Sequence, residues 1–460
     1  MPDPRRLAPP IIVWSRQDLR LADNPALRVA AETGRPIVPL FILHEASDGR
    51  PWGAASRWWL DKSLRALDLD LRRRGSRLVL RRGDPAVVLP SLAQELGAEV
   101  VWNRLYGPAA VARDSDLKAE LGARSFNTSL LVEPWRVKTG SGQPYAVFTP
   151  FWKAAERLIE DEPLHPAPDR IPAPDRWPES DYLGDWRLHP SKPDWSGGFD
   201  IWTPGEAGAQ EQLADFRKHL GRYSEARDRP EHNGTSHLSP HLHWGEIGPR
   251  QVRAACGDSP KFIAELGWRE FNHALLHHHG DIACRNLRPD FDRFPWRGDP
   301  QGLQAWREGR TGYPLVDAGM RQLWATGFMH NRVRMVVASF LIKHLLIDWR
   351  EGEAWFWDTL VDACEANNPA NWQWSAGSGA DAQPFFRIFN PTAQGERFDP
   401  DGVYVKRWVP ELKALPASVI HKPWEAGGAA GYPAPIVDHA VARARALDAF
   451  KEMRSASSTA

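Results

Sequence analysis

The stretch FMHNRVRMVVASFLIKHLLIDWREGEAWFWDTLVDACEANNPANWQW, residues 328–374, decides how the chain is read. Asn331, Arg334 and Met335 stand three and four residues apart, so on a helix they share one face. That face leads into the apolar run VVASFLI. A guanidinium buried there is very costly unless a carboxylate or an anionic cofactor lies against it. Asp362, itself in an apolar setting, is the nearest candidate partner. Asn367-Asn368 adds carboxamides, which can both donate to and accept from a flat heterocycle. Trp349, Trp355, Trp357, Trp372 and Trp374 crowd the same stretch.

Outward from this centre, the pattern is helical nearly throughout from about Glu206, with Pro and Gly at the breaks. Residues 160–205 differ: Pro is dense, periodicity is lost, and several Trp suggest a connection docked on the protein surface. Residues 11–135 alternate apolar runs (PIIVW, PIVPLFIL, SRLVLR, AEVVWN) with helical patterns at Asn24–Thr33, Ser56–Arg74 and Ala86–Leu96. Continuous apolar strands separated by helices predict a Rossmann-like parallel sheet covered on both faces. No GxGxxG or GxxxxGKS follows the first strand, so the usual nucleotide fingerprints are absent. The expected division is an α/β domain over 8–135, a connection over 136–205, an all-α domain over 206–453, and a loose tail over 454–460.

The totals exclude several classes. Lys+Arg and Asp+Glu both number 58, which rules out a globally basic nucleic-acid coat but not a local basic patch. Cys256, Cys284 and Cys364 are scattered and odd in number, so no disulfide framework is expected and a reducing, cytoplasmic setting fits. MPDPRRLAPP lacks the apolar core of a secretory signal, and the longest apolar run is broken by Lys343 and His344, so no membrane span is expected. The 23 Trp outnumber the 7 Tyr and 18 Phe, an inversion of ordinary usage, and most Trp-rich stretches read individually as core or interface rather than site.

Three further constellations carry chemistry. In Thr235-Ser236-His237-Leu238-Ser239-Pro240, hydroxyls and backbone N–H groups ahead of a helix can hold phosphate oxygens, although read locally a plain N-cap explains it better. Glu265 and Trp268 share a helical face, with Asn272 a turn along, so a carboxyl stands beside a broad ring that could stack on a base. His277-His278-His279 point in different directions on a helix, so no metal site is expected. Arg332, Arg387, Arg397, Lys406 and Arg407 are candidates for a phosphate-gripping rim.

Taken together, these residues resemble the photolyase/cryptochrome family. VWSRQDLRLADNPAL (13–27), TSHLSPHLHWGEI (235–247), ELGWREF (265–271), GRTGYPLVDAGMRQL (309–323), MHNRVRM (329–335), DWREGE (348–353) and the segment from WQWSAGSGAD to DPDG (372–402) follow in family order and spacing. The resemblance implies that the helical domain holds a folded-up FAD. Tyr223 and Thr235 to Ser239 would hold its phosphates and ribose, and Arg269 and Cys364 would also line its site. Arg334 would pair with Asp362 beside the flavin, and Asn368 would face flavin N5, where an amide can hydrogen-bond the reduced forms.

The substrate class follows from the same resemblance. The branch that repairs cyclobutane pyrimidine dimers carries Asn and Met at the positions of Asn331 and Met335, whereas the (6-4) branch has histidines there. Glu265 would hydrogen-bond the dimer, Trp268 and Trp374 would wall it, and Asn331 and Met335 would line the pocket. Asn272, Arg332 and Arg387 would contact DNA. Trp296, Trp349 and Trp372 would carry electrons inward to photoreduce oxidised flavin. The expected activity is light-dependent dimer repair by a monomer acting on UV-damaged DNA. The alternative is a blue-light photoreceptor, against which stand the complete pocket and the short tail.

Two positions depart from the family pattern. Asp362-Ala363-Cys364 stands where Asp-x-Asp is common, and Ala109-Ala110 stands where folate-binding relatives have Asn and Glu. The antenna is therefore open between folate, deazaflavin and none. WWLDKSL and SAGSGAD resemble the photolyase subgroup closest to plant cryptochromes, which favours methenyltetrahydrofolate over a deazaflavin.

Overall fold

The computed structural model describes residues 8–44 and 50–457. Its N-terminal part is a five-stranded parallel sheet: β1 (Ile11–Ser15), β2 (Ile37–Leu43), β3 (Val79–Arg82), β4 (Glu99–Asn103) and β5 (Arg124–Phe126). The spatial order is β3-β2-β1-β4-β5, and every pairing is parallel. The four apolar runs became β1 to β4, and β1 and β2 are buried along their whole length, as continuous rather than alternating strands require. Pro39 lies inside β2 where β2 has only β1 beside it, because pairing with β3 begins at Leu40. β5 was not expected: its three residues, RSF, carry no apolar run.

Helices Pro25–Glu32, Ala54–Arg73, Pro85–Leu96 and Pro108–Leu121 cover the sheet. Separate apolar clusters pack on its two faces, one around Trp58, Trp59 and Leu64 and the other around Trp14, Leu92 and Trp102. The sheet winds outward in both directions from β1. Its topological switch point therefore falls between β1 and β4, and a crevice opens at the carboxyl ends of those strands.

The Pro-rich connection is docked, as expected. Ile37 N–H donates to Pro172 O at 2.8 Å, Ile171 N–H to Arg74 O at 2.9 Å, and Asp181 N–H to Leu80 O at 2.8 Å. Ile171 and Phe199 are fully buried. The span 136–205 nevertheless contains a helix, Phe148–Glu156, whose Phe151 packs against Phe271 of the long helix Pro260–His279.

The remainder is helical and has its own core around Val333, Val337, Phe340, Leu341, Trp306 and Trp349. The final helix, His439–Ser457, corrects the expectation of a loose tail from residue 454: Arg454 to Ser457 are helical, and residues 458–460 lie outside the described residues. Among the described residues no helix is long and apolar enough to cross a membrane.

Candidate flavin and lesion cavity

A cavity of about 640 Å³ lies within the helical body and runs into the crevice at the ends of β1, β2 and β4. Three helices line it through residues at helical spacing. Pro260–His279 presents Glu265, Trp268, Arg269, Asn272 and His273. Asn331–Ser339 presents Asn331, Arg332, Arg334 and Met335. Asn367–Ala376 presents Asn368, Trp372 and Trp374. The i, i+3, i+4 spacing read from the sequence is what aims these side chains at one space.

The partner that burial demanded for Arg334 is present. Arg334 Nη2 donates to Asp362 Oδ2 at 3.0 Å and Oδ1 at 3.2 Å, and its Nε donates to Met329 O at 2.7 Å. The Ser239 hydroxyl donates to Asp362 Oδ2 at 2.6 Å. Ser239 opens a short helix, Ser239–His243, yet its hydroxyl caps nothing in that helix. It is turned to the cavity instead, so the plain N-cap reading does not hold.

Glu265 and Trp268 are each held by a residue that sequence spacing did not reveal. Arg227 Nη1 donates to Glu265 Oε1 in a short charge-assisted bond. The Trp268 indole stacks on Phe148 with centroids 3.9 Å apart and planes at 9°. Asn272 Nδ2 donates to Asn367 Oδ1 at 3.0 Å, which ties two walls of the cavity together.

Asn368 donates through Nδ2 to Glu353 Oε1 at 2.7 Å and to Glu353 O at 3.0 Å. Glu353 in turn pairs with Arg50, 2.6 Å away and 303 residues distant in the chain. Burial pushes the Glu353 carboxyl up, while Arg50 and Asn368 pull it down. Cys364 is buried with its Sγ 3.9 Å from His273 Nε2. His273 Nδ1 faces Arg269 O at 2.8 Å, so Nδ1 carries the ring proton and Nε2 is left to accept the thiol proton. Burial raises the Cys364 thiol and pushes His273 down to about 3, so this pair is neutral.

Not every expected site residue lines the cavity. Tyr223 is buried edge-on against Phe216 and Phe262. Leu238 belongs to the apolar core. Thr235 bonds His237 Nε2 at 3.3 Å, and His237 bonds Asn233 Oδ1 at 3.0 Å. Only Ser236 and Ser239 of this loop reach the space. Trp349 is fully buried and does not line the cavity, its Nε1 donating to Asn286 Oδ1 at 2.9 Å, and Trp296 is partly exposed. Arg387 sits on an exposed turn. The residues missed were Arg227, Glu353, Arg50 and His273. Glu353 lies within the DWREGE motif, but nothing local marks its partner.

Comparison with known proteins agrees with this geometry. A family model described as DNA photolyase matches residues 11–174, and one described as the FAD binding domain of DNA photolyase matches residues 262–452. The chain is 53% identical to the deoxyribodipyrimidine photo-lyase of Agrobacterium fabrum over 97% of this chain and 98% of that one. It is 38% identical to cryptochrome-1 of Arabidopsis thaliana over 96% of this chain and 70% of that one. The crystal structure of a bacterial class III photolyase from Agrobacterium tumefaciens superposes with a TM-score of 0.95 at 51% identity, covering 99% of each chain. With a parallel-sheet domain, a helical domain enclosing the cavity, and near full-length identity to photolyases, the chain belongs to the photolyase/cryptochrome family.

Proposed function

We propose that this protein repairs cyclobutane pyrimidine dimers in DNA by light-driven electron transfer from reduced FAD. The observation that carries the reading is that one cavity joins a lesion-type wall (Glu265, Trp268, Asn331, Met335, Trp374) to a flavin-type floor (Arg334, Asp362, Asn368).

The residues fit FAD. Flat apolar surface from Leu266, Phe356 and Trp372 alternates with donors and acceptors at Ser236, Ser239, Arg269 and Asn368, the mixture that a large aromatic cofactor with phosphates requires. Bound, reduced and photoexcited, FAD supplies the electron that splits the cyclobutane ring. The protein supplies position and electrostatics. Glu265, oriented by Arg227, offers a carboxylate to the dimer's base edges. Trp268, braced by Phe148, and Trp374 form an apolar wall that excludes water. Because the Asn368 N–H groups are committed to Glu353, Oδ1 is the atom it offers as an acceptor. A dimer buried in a duplex cannot reach these groups, so it enters flipped out, at a cost that its weakened pairing lowers. Arg332 and Arg387 grip the flanking phosphates, which makes binding salt-dependent.

Trp372 lines the cavity, Trp349 is fully buried and Trp296 is partly exposed, a gradation of exposure suited to passing electrons inward. The crevice beside Trp14, Arg16, His44 and Arg113 lies at the sheet's switch point, where an antenna chromophore would bind. We assign it to a folate. Ala109 and Ala110 deny it the usual polar pair, so it would be held differently from the familiar mode. A division into an α/β domain over 8–135, a connection over 136–205 and a helical domain from 206 through the final helix His439–Ser457, together with a monomeric state, completes the reading.

Illuminating the purified protein with reduced flavin and dimer-bearing DNA tests it: dimers should disappear in proportion to light dose. Dimers that persist under those conditions would favour the photoreceptor alternative, to which the likeness to cryptochrome-1 lends support.

A further inference from the structure

We propose that Lys343 is a positioning residue for DNA binding, its buried amine holding the turn that presents Arg387. The proposal rests on the reading of Arg387 as a phosphate contact.

Lys343 is 0% exposed. It lies in Phe340–His344, where the helix that carries Asn331, Arg334 and Met335 to the cavity widens into a π-type turn. Its surroundings are the apolar core, with the ring of Phe385 5.3 Å from Nζ. Burial, reinforced by the charge of Arg387, pushes the amine down to about 7. A residue of similar length and no charge would fill this space at lower cost, so packing does not account for a lysine here.

What the amine does is donate to Arg387 O at 3.0 Å. That oxygen belongs to a tight turn in which Arg387 N–H donates to Pro384 O at 2.9 Å and Ile388 N–H donates to Phe386 O at 3.0 Å. The turn is pinned on its inner side by Phe385, stacked on Phe450 at 4.9 Å and 12°. On its outer side it presents Phe386, which is 61% exposed, and Arg387. Phe385 thus anchors the turn through packing, and Lys343 fixes the peptide from which the Arg387 side chain springs. An amine donates in either protonation state, so the bond does not depend on pH.

The test uses the full-length flavoprotein with Lys343→Met and Arg387→Ala, singly and together. Equilibrium binding to dimer-bearing duplex DNA is measured across a salt series. One phosphate contact contributes about 0.9 to the slope of log K against log salt, so Arg387→Ala should lower the slope by about 1. Lys343→Met should weaken binding about tenfold and lower the slope to the same extent, with the double variant no worse than Arg387→Ala. Flavin content should stay at the wild-type value, and amide exchange should accelerate at residues 384–389 alone. A wild-type slope in Lys343→Met, or losses that add in the double variant, overturns the proposal. A wild-type slope in Arg387→Ala removes the phosphate contact itself, and the role of Lys343 with it. Lys343→Leu, which also lacks a donor, is the second variant if the methionine form does not fold, and the same slopes decide.

Discussion

The Asn368 amide donates to the Glu353 carboxylate at 2.7 Å, and Arg50 pairs with that carboxylate at 2.6 Å. One buried acid therefore orients the amide expected to face the flavin and clamps residue 50 onto the helical body. Glu353→Leu should strand Arg50 and release Asn368. Because Arg50 is partly exposed, we expect a loss of about 2–3 kcal/mol, below the figure for breaking a fully buried pair. Glu353→Gln, which can still accept from Asn368, should lose less. Urea unfolding of both variants checks the order, and equal losses would show that Asn368 contributes nothing.

Asp362 accepts from both Arg334 and Ser239, so removing it leaves two donors aimed at the cavity without an acceptor. Asp362→Ala is expected to cost about 2–4 kcal/mol of stability and to purify with less than half the wild-type flavin per chain. The ratio of flavin to protein absorbance measures this. Full flavin occupancy would remove the pair from the proposed cofactor site.

Glu265→Ala takes from Arg227 its partner in the cavity wall and removes the carboxylate proposed to meet the dimer. Dimer-bearing DNA should bind about tenfold more weakly, and repair per absorbed photon should fall, with FAD content unchanged. Wild-type repair yield in this variant would strip Glu265 of its role.

Trp372 forms part of the cavity wall and packs edge-on against Phe356 at 5.0 Å. Trp372→Phe should prevent light from reducing oxidised flavin, because phenylalanine is far harder to oxidise than tryptophan. After chemical reduction with dithionite, dimer repair should proceed at the wild-type rate. Photoreduction at the normal rate would show that electrons enter by a route that bypasses this indole.

Glu270 is a buried residue of the helix Pro260–His279, and its Oε2 accepts from the N–H groups of Leu131 at 2.9 Å and Val132 at 3.2 Å. Burial pushes its carboxyl up to about 7, against the pull of Arg269 and the two N–H groups. A folded-state value above the unfolded one means that the unfolded chain releases its proton first as pH rises. The stabilisation is thus complete below pH about 4.5, declines through the window up to about 7, and is level above it. The thermal midpoint of wild type relative to Glu270→Gln should fall across that window and stay flat beyond pH 8. A difference independent of pH would mean that Glu270 is ionised throughout.

Much of the architecture was legible because it is written in local spacing. The continuous apolar runs specified β1 to β4, and three- and four-residue intervals put Glu265, Trp268 and Asn272 on one face and Asn331, Arg334 and Met335 on another. Even the Arg334–Asp362 pair could be anticipated, since an unpaired guanidinium beside an apolar run is too costly to leave alone. The edge strand β5 and the helix Phe148–Glu156 were missed because three residues without an apolar run, and nine inside a span assigned to the connection, give too little periodicity to read. The sequence by itself thus determined which faces exist and what chemistry each bears. Only the tertiary structure decided that Arg227 would hold Glu265, that Glu353 would join Asn368 to Arg50, that His273 would take the thiol of Cys364, and that Tyr223 and Leu238 would turn into the core. These partners lie 15 to 303 residues apart. Their meeting depends on how whole helices and the sheet pack, a property of the global arrangement that no local interval encodes.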